Sequence, residues 1–271
     1  MHRILFGKII VSVLVVAQLS LVSCSDDPAS SKPPQQPALP PAASMTLDLG
    51  AFNSSLPKTA AQPGLNFINA AARVAIINAT VVIVLSVPAA VFAAAASQTP
   101  TLGSDGKYHW QYTTSVNGNS FTANLAGSVD LSTQESVWEM RISSTAASLN
   151  NFLWYEGRAK LNGSSGNWDF YDPAQPNIKA GVLHLDWTYA SATDATLSFE
   201  VVKDGAPEEG DTLDYTVAGT NIKIVLVDAS PAQTVEISWD RMTTAGYLIA
   251  PDYNGGAKAC WDSTRADVAC Q

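Results

Sequence analysis

Cysteine and histidine are scarce in this chain, three of each, and charged residues make up only 14% of it. Basic residues are fewest of all against the acidic ones, 15 Lys and Arg against 24 Asp and Glu. A face dense in cations is what nucleic acid requires, so nucleic acid is excluded as a partner. The same balance disfavours electrostatic docking on anionic lipid. No CxxC, HExxH or HxH pattern occurs, so no metal site and no cofactor is expected. GxSxG, P-loop and GxGxxG patterns are absent as well. "GSSG" at 163–166 lies in a predicted hairpin turn and shares only its letters with a nucleophile elbow. No catalytic motif is found, and the chain is read as a non-enzyme.

What is present begins at the N-terminus. Arg3 and Lys8 form a short basic region, and Ile9 to Leu21 is an apolar core interrupted by Ser12, Gln18 and Ser20. This is the layout of a secretory signal. It is shorter than the roughly 20 residues a bilayer span needs. Leu21-Val22-Ser23-Cys24 follows and resembles the lipobox of bacterial lipoproteins. The resemblance implies acylation of the Cys24 thiol, cleavage after Ser23, and residues 1–23 as a signal peptide. It implies a chain anchored to the membrane through lipid in the cell envelope, with palmitate-type acyl groups. More than one acyl chain gives stable attachment. Ser25 after the cysteine points to the outer membrane by the enterobacterial sorting rule, with periplasmic and surface exposure both open.

The next stretch, "SDDPASSKPPQQPALPPAAS", has almost no large apolar side chains and cannot fold by burial. Residues 24–45 are therefore expected to be a lipidated, disordered tether. Its prolines keep it extended at about 3 Å per residue, a reach of roughly 50 Å. Residues 46–271 are expected to be a single β-rich domain. Loss of residues 1–23 removes two cations and no acid, which leaves a formal charge of −11. Cys260 and Cys270 then remain as a pair in an oxidising compartment, and a disulfide closing the last hairpin is expected.

From Val74 to Ala96 the chain carries no charge. A membrane helix, a buried helix and two buried strands compete for this stretch. Asn66, Asn69, Arg73, Asn78 and Thr80 interrupt its start, and alanine is abundant at both ends, which favours a buried helix. Pro88 is expected to end or kink it. The prediction is a core helix near 65–97, divided into 65–87 and 89–97.

Beyond Lys107 the apolar period becomes two. "YHWQYTTSV", "SFTANLAGSVDL", "VWEMRI", "LWYEGRAKL", "VLHLDWTY" and four later runs alternate apolar and polar residues. Asn117-Gly118, Asn162-Gly163 and Gly219-Thr220 mark turns between them. The fold class read from this is mainly β with an N-terminal apolar helix. Ten to twelve strands form a long antiparallel meander, a strongly curved sheet or barrel-like wrap around the helix. A membrane barrel shares the alternation, but its polar lumen has no place for the apolar helix.

Few residues offer chemistry. His109 and His184 fall on polar strand faces, and His184 shares its face with Asp186. Trp154 stands on the charged face of its strand beside Glu156. An outward tryptophan marks sugar or protein contacts. His184, Asp186 and Trp154 are the candidate ligand-binding residues. The acidic loops "DGAPEEGD" and "DYNGG" lack the spacing of a calcium loop.

The region from Tyr108 to Cys270 is similar, through "FLWYEG", "SGNWDFYD", "VEISWD" and "CWDSTRADVAC", to a group of envelope lipoproteins with no assigned activity. "LNGSSGNWDFYDP" also resembles the hairpin style of periplasmic lipoprotein carriers and related lipid-binding lipoproteins. That resemblance implies N-terminal helices packed on a wide curved sheet. Their arginine-proline strand motif is missing, and the apolar segment is placed where it would fill the cavity they use for lipid. The expectation is an envelope lipoprotein acting as a binding or structural module for a protein, glycan or hydrophobic partner. A carrier or sensor of a hydrophobic ligand is the alternative, and it requires an unfilled apolar cavity between helix and sheet. A hydrolase would require a convergent polar cluster in a cleft around His184.

Overall fold

A computed structural model describes residues 34–53, 63–116 and 118–270. The expected signal peptide, the expected lipidation site Cys24 and the first part of the expected tether lie outside the described residues. The rest of that stretch is packed in part. Pro37, Pro40, Ser44 and Met45 are buried, and Tyr108 Oη donates to the Pro34 carbonyl at 2.9 Å. A 3₁₀ turn at Ala42–Met45 and a short helix α1, Gly50–Asn53, complete the entry to the domain.

The helical segment consists of α2, Leu65–Ile77, a π-helical turn at Asn78–Val82, and α3, Ile83–Ala96. Pro88 sits inside α3 and does not end it. Its missing N–H removes one helical bond, but Pro88, Leu85, Val91 and Phe92 are all buried, and Tyr155 Oη donates to its carbonyl at 3.5 Å. The break in regular helix falls earlier, at the π turn. Among the described residues no helix is long and apolar enough to cross a membrane.

The start of α2 is fixed from the far end of the chain. The Asp267 carboxylate accepts the Leu65 and Asn66 N–H groups at 3.1 and 2.9 Å, a helix cap supplied in trans along the sequence. Asn66 donates to the Cys260 carbonyl and accepts from Tyr253 Oη, each at 2.8 Å. Cys260 and Cys270 form a disulfide with Cα atoms 5.3 Å apart.

Among the described residues fourteen strands follow in strict sequence order, every neighbouring pair antiparallel. They are β1 Thr101–Leu102, β2 Tyr108–Val116, β3 Asn119–Asp130, β4 Glu135–Ser144, β5 Leu149–Lys160, β6 Ser165–Tyr171 and β7 Gly181–Ser191. The second half holds β8 Asp194–Val201, β9 Thr212–Ala218, β10 Asn221–Ala229, β11 Ala232–Asp240, β12 Gly246–Ile249, β13 Ala259–Trp261 and β14 Asp267–Val268. β1 and β14 do not pair, so the sheet is not closed. The meander is longer than the ten to twelve strands expected, partly because the two-residue end strands are too short to show a period. α2 contacts β12, β13 and β14, and α3 contacts β2 and β3.

One face of the sheet carries the core. Of seven tryptophans, Trp110, Trp138, Trp168, Trp187, Trp239 and Trp261 are almost fully buried. Five of these stand across from a glycine. Trp138 faces Gly127 and Gly157, Gly157 also faces Trp168, Trp187 faces Gly166, and Gly246 faces both Trp239 and Trp261. The indole lies over the strand position that has no side chain, which satisfies two otherwise poor choices for a sheet interior, a glycine and an oversized ring.

The indole N–H groups differ in partnership. Trp138 Nε1 donates to Ser136 Oγ at 2.8 Å and Trp261 Nε1 to the Thr244 carbonyl at 2.7 Å. Trp187 Nε1 is buried without a hydrogen-bond partner among the described residues. Burial of that N–H costs desolvation with no bond in return. Trp187→Phe is therefore expected to be milder than Trp138→Phe by about 1 kcal/mol or more. Urea melts of the two variants check this, and equal losses would contradict it.

Candidate functional site

Between the helical segment and the middle of the sheet lies a cavity of about 760 Å³. That is within the roughly 300–1,000 Å³ of small-molecule sites. Ile76, Ile77, Val81, Val87 and Pro88 line it from the helical side, and Phe170, Leu183, Phe199, Leu213 and Leu226 from the sheet. The π turn contributes Ala79 and Val81 to this lining, with residues of α2 and α3 on either side of it. Ile76 and Val87 are 61% and 55% exposed and also line the cavity, so its mouth opens along the helix. The apolar segment thus leaves space beside the sheet instead of filling it.

Two β-bulges shape the opposite wall. On β4–β5 the register passes from Met140↔Tyr155 to Arg141↔Leu153, which leaves Trp154 as the extra residue. On β6–β7 it passes from Phe170↔Leu183 to Tyr171↔Gly181, which leaves Val182 extra. Both extra residues line the cavity. A bulge bends its strand and re-aims the side chain it carries. Strict alternation placed Trp154 on the solvent face with Glu156; the bulge turns it half-buried into the cavity wall, 6.2 Å from the Tyr155 ring.

The polar lining collects on one side. Asp172 and Pro173 follow β6, and Lys203, Ala206, Glu208 and Asp211 come from the β8–β9 loop. Lys203 Nζ meets Asp172 Oδ2 at 3.0 Å and so joins these two loops. The Asp172 carboxyl is held below the usual carboxylate range by the Ala174 N–H it accepts and by Lys203. Next to it, Tyr171 Oη donates to Glu156 Oε1 at 2.8 Å, and Lys179 pairs with the same oxygen. The Tyr171 phenol is pushed up to about 12 by burial and by the Glu156 carboxylate.

The other two candidates sit elsewhere. His184 and Asp186 lie on the face of β7 opposite the core. His184 Nδ1 is 2.7 Å from Asp169 Oδ1 and Nε2 is 3.3 Å from Asp186 Oδ2. With a carboxylate at each ring nitrogen, neither nitrogen is free to take a proton from a nucleophile. Partial burial opposes the imidazolium, but the two carboxylates outweigh it, so His184 binds its proton more tightly than an ordinary histidine. Its contribution to stability is then fully present below the unfolded value of about 6.5 and is lost as pH rises through the raised folded value. A ¹H–¹⁵N titration of the imidazole is expected to show a midpoint above that of a free histidine, and Asp169→Asn should bring it down. A midpoint at or below the free value would contradict the ion-pair reading.

His109 is held in a similar way, with Nε2 3.0 Å from Asp105 and Nδ1 3.2 Å from Asn124. Among the described residues no group of three or more His, Cys, Asp or Glu side chains is placed to hold a metal ion. No family model, curated protein or solved structure matches the chain.

Proposed function

We propose that this chain is a cell-envelope lipoprotein, anchored through lipid on Cys24, whose β-rich domain binds a hydrophobic ligand. The observation that carries the reading is the cavity of about 760 Å³ between the helical segment and the sheet, apolar on both walls. Natural cores are close-packed, so a space of this size lined by leucine, isoleucine and phenylalanine is not the outcome of packing alone. Lys203 and Asp172 at its edge are committed to one another as an ion pair, which suits holding a molecule more than transforming one. In this reading the open sheet curls about the helical segment. The contacts of α2 with the last strands and of α3 with the second and third support that shape. The lipobox and the signal-like run before it support the envelope location, and the outer membrane is the proposed destination.

The test is native mass spectrometry and lipid extraction of the full chain, expressed with its signal in a bacterial host. A covalent lipid mass should be present and should vanish in Cys24→Ala. A second, non-covalent apolar ligand should accompany the wild-type domain. Leu226 is half-buried at the cavity wall, so Leu226→Trp has room to fill the space without breaking the core. It should lower ligand occupancy about tenfold, since the site loses its volume, with far-UV circular dichroism unchanged. Wild-type protein that binds no apolar probe would overturn the ligand reading and leave the anchor to stand or fall on the Cys24 result.

A further inference from the structure

We infer that the ligand of this cavity bears an uncharged or cationic polar head, and that anionic amphiphiles such as fatty acids are disfavoured there. The inference rests on the reading of the cavity as a ligand site, and it concerns which head group the polar side accepts.

Among the described residues Lys203 is the one cation in the lining, and it faces Asp172 at 3.0 Å. Asp172 is itself 8% exposed and also accepts the Ala174 N–H, so it is not easily displaced from that lysine. Glu208 and Asp211 line the same side. Asp211 is fixed there because its carboxylate accepts the Ala229 N–H at 2.8 Å. Among the described residues the polar side therefore holds three carboxylates against one ammonium that is already paired.

A carboxylate or phosphate head placed there meets no free cation among the described residues. It must either remain beside like charges or take Lys203 from Asp172, which strands a buried carboxylate. An ammonium head meets uncompensated acid, and a hydroxyl head meets acceptors without repulsion. The whole chain, at a formal charge of −9, adds to the same field. The tail needs no polar partner, because the remaining wall is apolar. Like charges a few ångströms apart near a protein surface interact strongly enough for about a tenfold change in affinity.

The experiment uses the full-length protein in mild detergent and displacement of phenylnaphthylamine, an uncharged apolar fluorophore. A medium-chain alcohol, amine and carboxylate of equal chain length compete with it at neutral pH, where the amine is cationic and the carboxylate anionic. Alcohol and amine should displace the dye at concentrations about five- to tenfold lower than the carboxylate. Added salt should narrow the gap. Glu208→Lys changes an exposed side chain at the polar side and should improve the carboxylate several-fold relative to the alcohol. Equal displacement by all three, or a preference for the carboxylate, overturns the head-group inference while the cavity reading stands. A dye that does not bind, with no competitor effect, overturns the cavity reading and this inference with it.

Discussion

Trp168→Ala is expected to cost about 3–5 kcal/mol, the range for removing a large buried aromatic side chain. Trp168 is 1% exposed, with the Phe92 ring of α3 at 6.0 Å and the Tyr155 ring of β5 at 5.6 Å. Its Nε1 donates to Ser44 Oγ at 3.1 Å, which joins the entry segment to the middle of the sheet. The site cannot close over the loss. The residue across from it on β5 is Gly157, which has no side chain to move in, and the strands on both sides are held by their ladders. The void therefore persists, and its cost adds to the lost transfer free energy. For a domain of this size each kcal/mol shifts the melting temperature by about 2–4 °C, so a fall of roughly 10 °C is expected. Urea melts give the free energy, and limited proteolysis should cut the 34–49 segment faster. A loss below about 1 kcal/mol would mean that the indole does not hold these elements together.

Gly157→Ala is expected to be nearly as severe, about 3 kcal/mol, at the top of the overpacking range. A methyl group at Gly157 would stand 2.2 Å from the Asn167 carbonyl oxygen and 2.5 Å from Trp168 Cε3. The first is backbone of the adjacent strand, and the second belongs to a ring fixed by Phe92, Tyr155 and Ser44. Neither gives way without breaking part of the ladder. Gly181→Ala is the control, since its methyl would meet only Val202 Cγ2, at 3.2 Å, near the end of β8; it should cost under about 1 kcal/mol. Because Gly157 and Trp168 are direct partners, Gly157→Ala with Trp168→Ala should cost less than the sum of the two. Strict additivity in a double-mutant cycle would show that ring and glycine are not coupled.

Both predictions concern the sheet, the part of this protein whose sequence pattern is clearest. A period of two, with turn residues between the runs, is a local signal, and it gave the antiparallel meander. Tryptophan and glycine at the same phase of neighbouring runs are visible too, but their pairing requires the register. The entry segment shows the limit of composition. Pro37 and Pro40 look like tether and are buried. The tryptophan read as outward-facing shows the limit of periodicity. A single extra residue inverts the phase, and nothing in "NFLWYEG" announces where the bulge falls.

The sequence by itself determined the class of structure and the pairing of Cys260 with Cys270, and it marked an uncharged stretch at 74–96 without settling its form. These follow from spacing and composition, which act over a few residues. The tertiary structure alone decided that the stretch runs through Pro88 and breaks at a π turn. It alone decided that Asp267 caps α2, that two bulges aim Trp154 and Val182 at one cavity, and that Lys203 is paired with Asp172 at its edge. Each of these depends on residues brought together by the fold. Whether a helix beside a sheet fills the space or leaves a cavity is decided by side chains of both at once, and no local pattern carries that information.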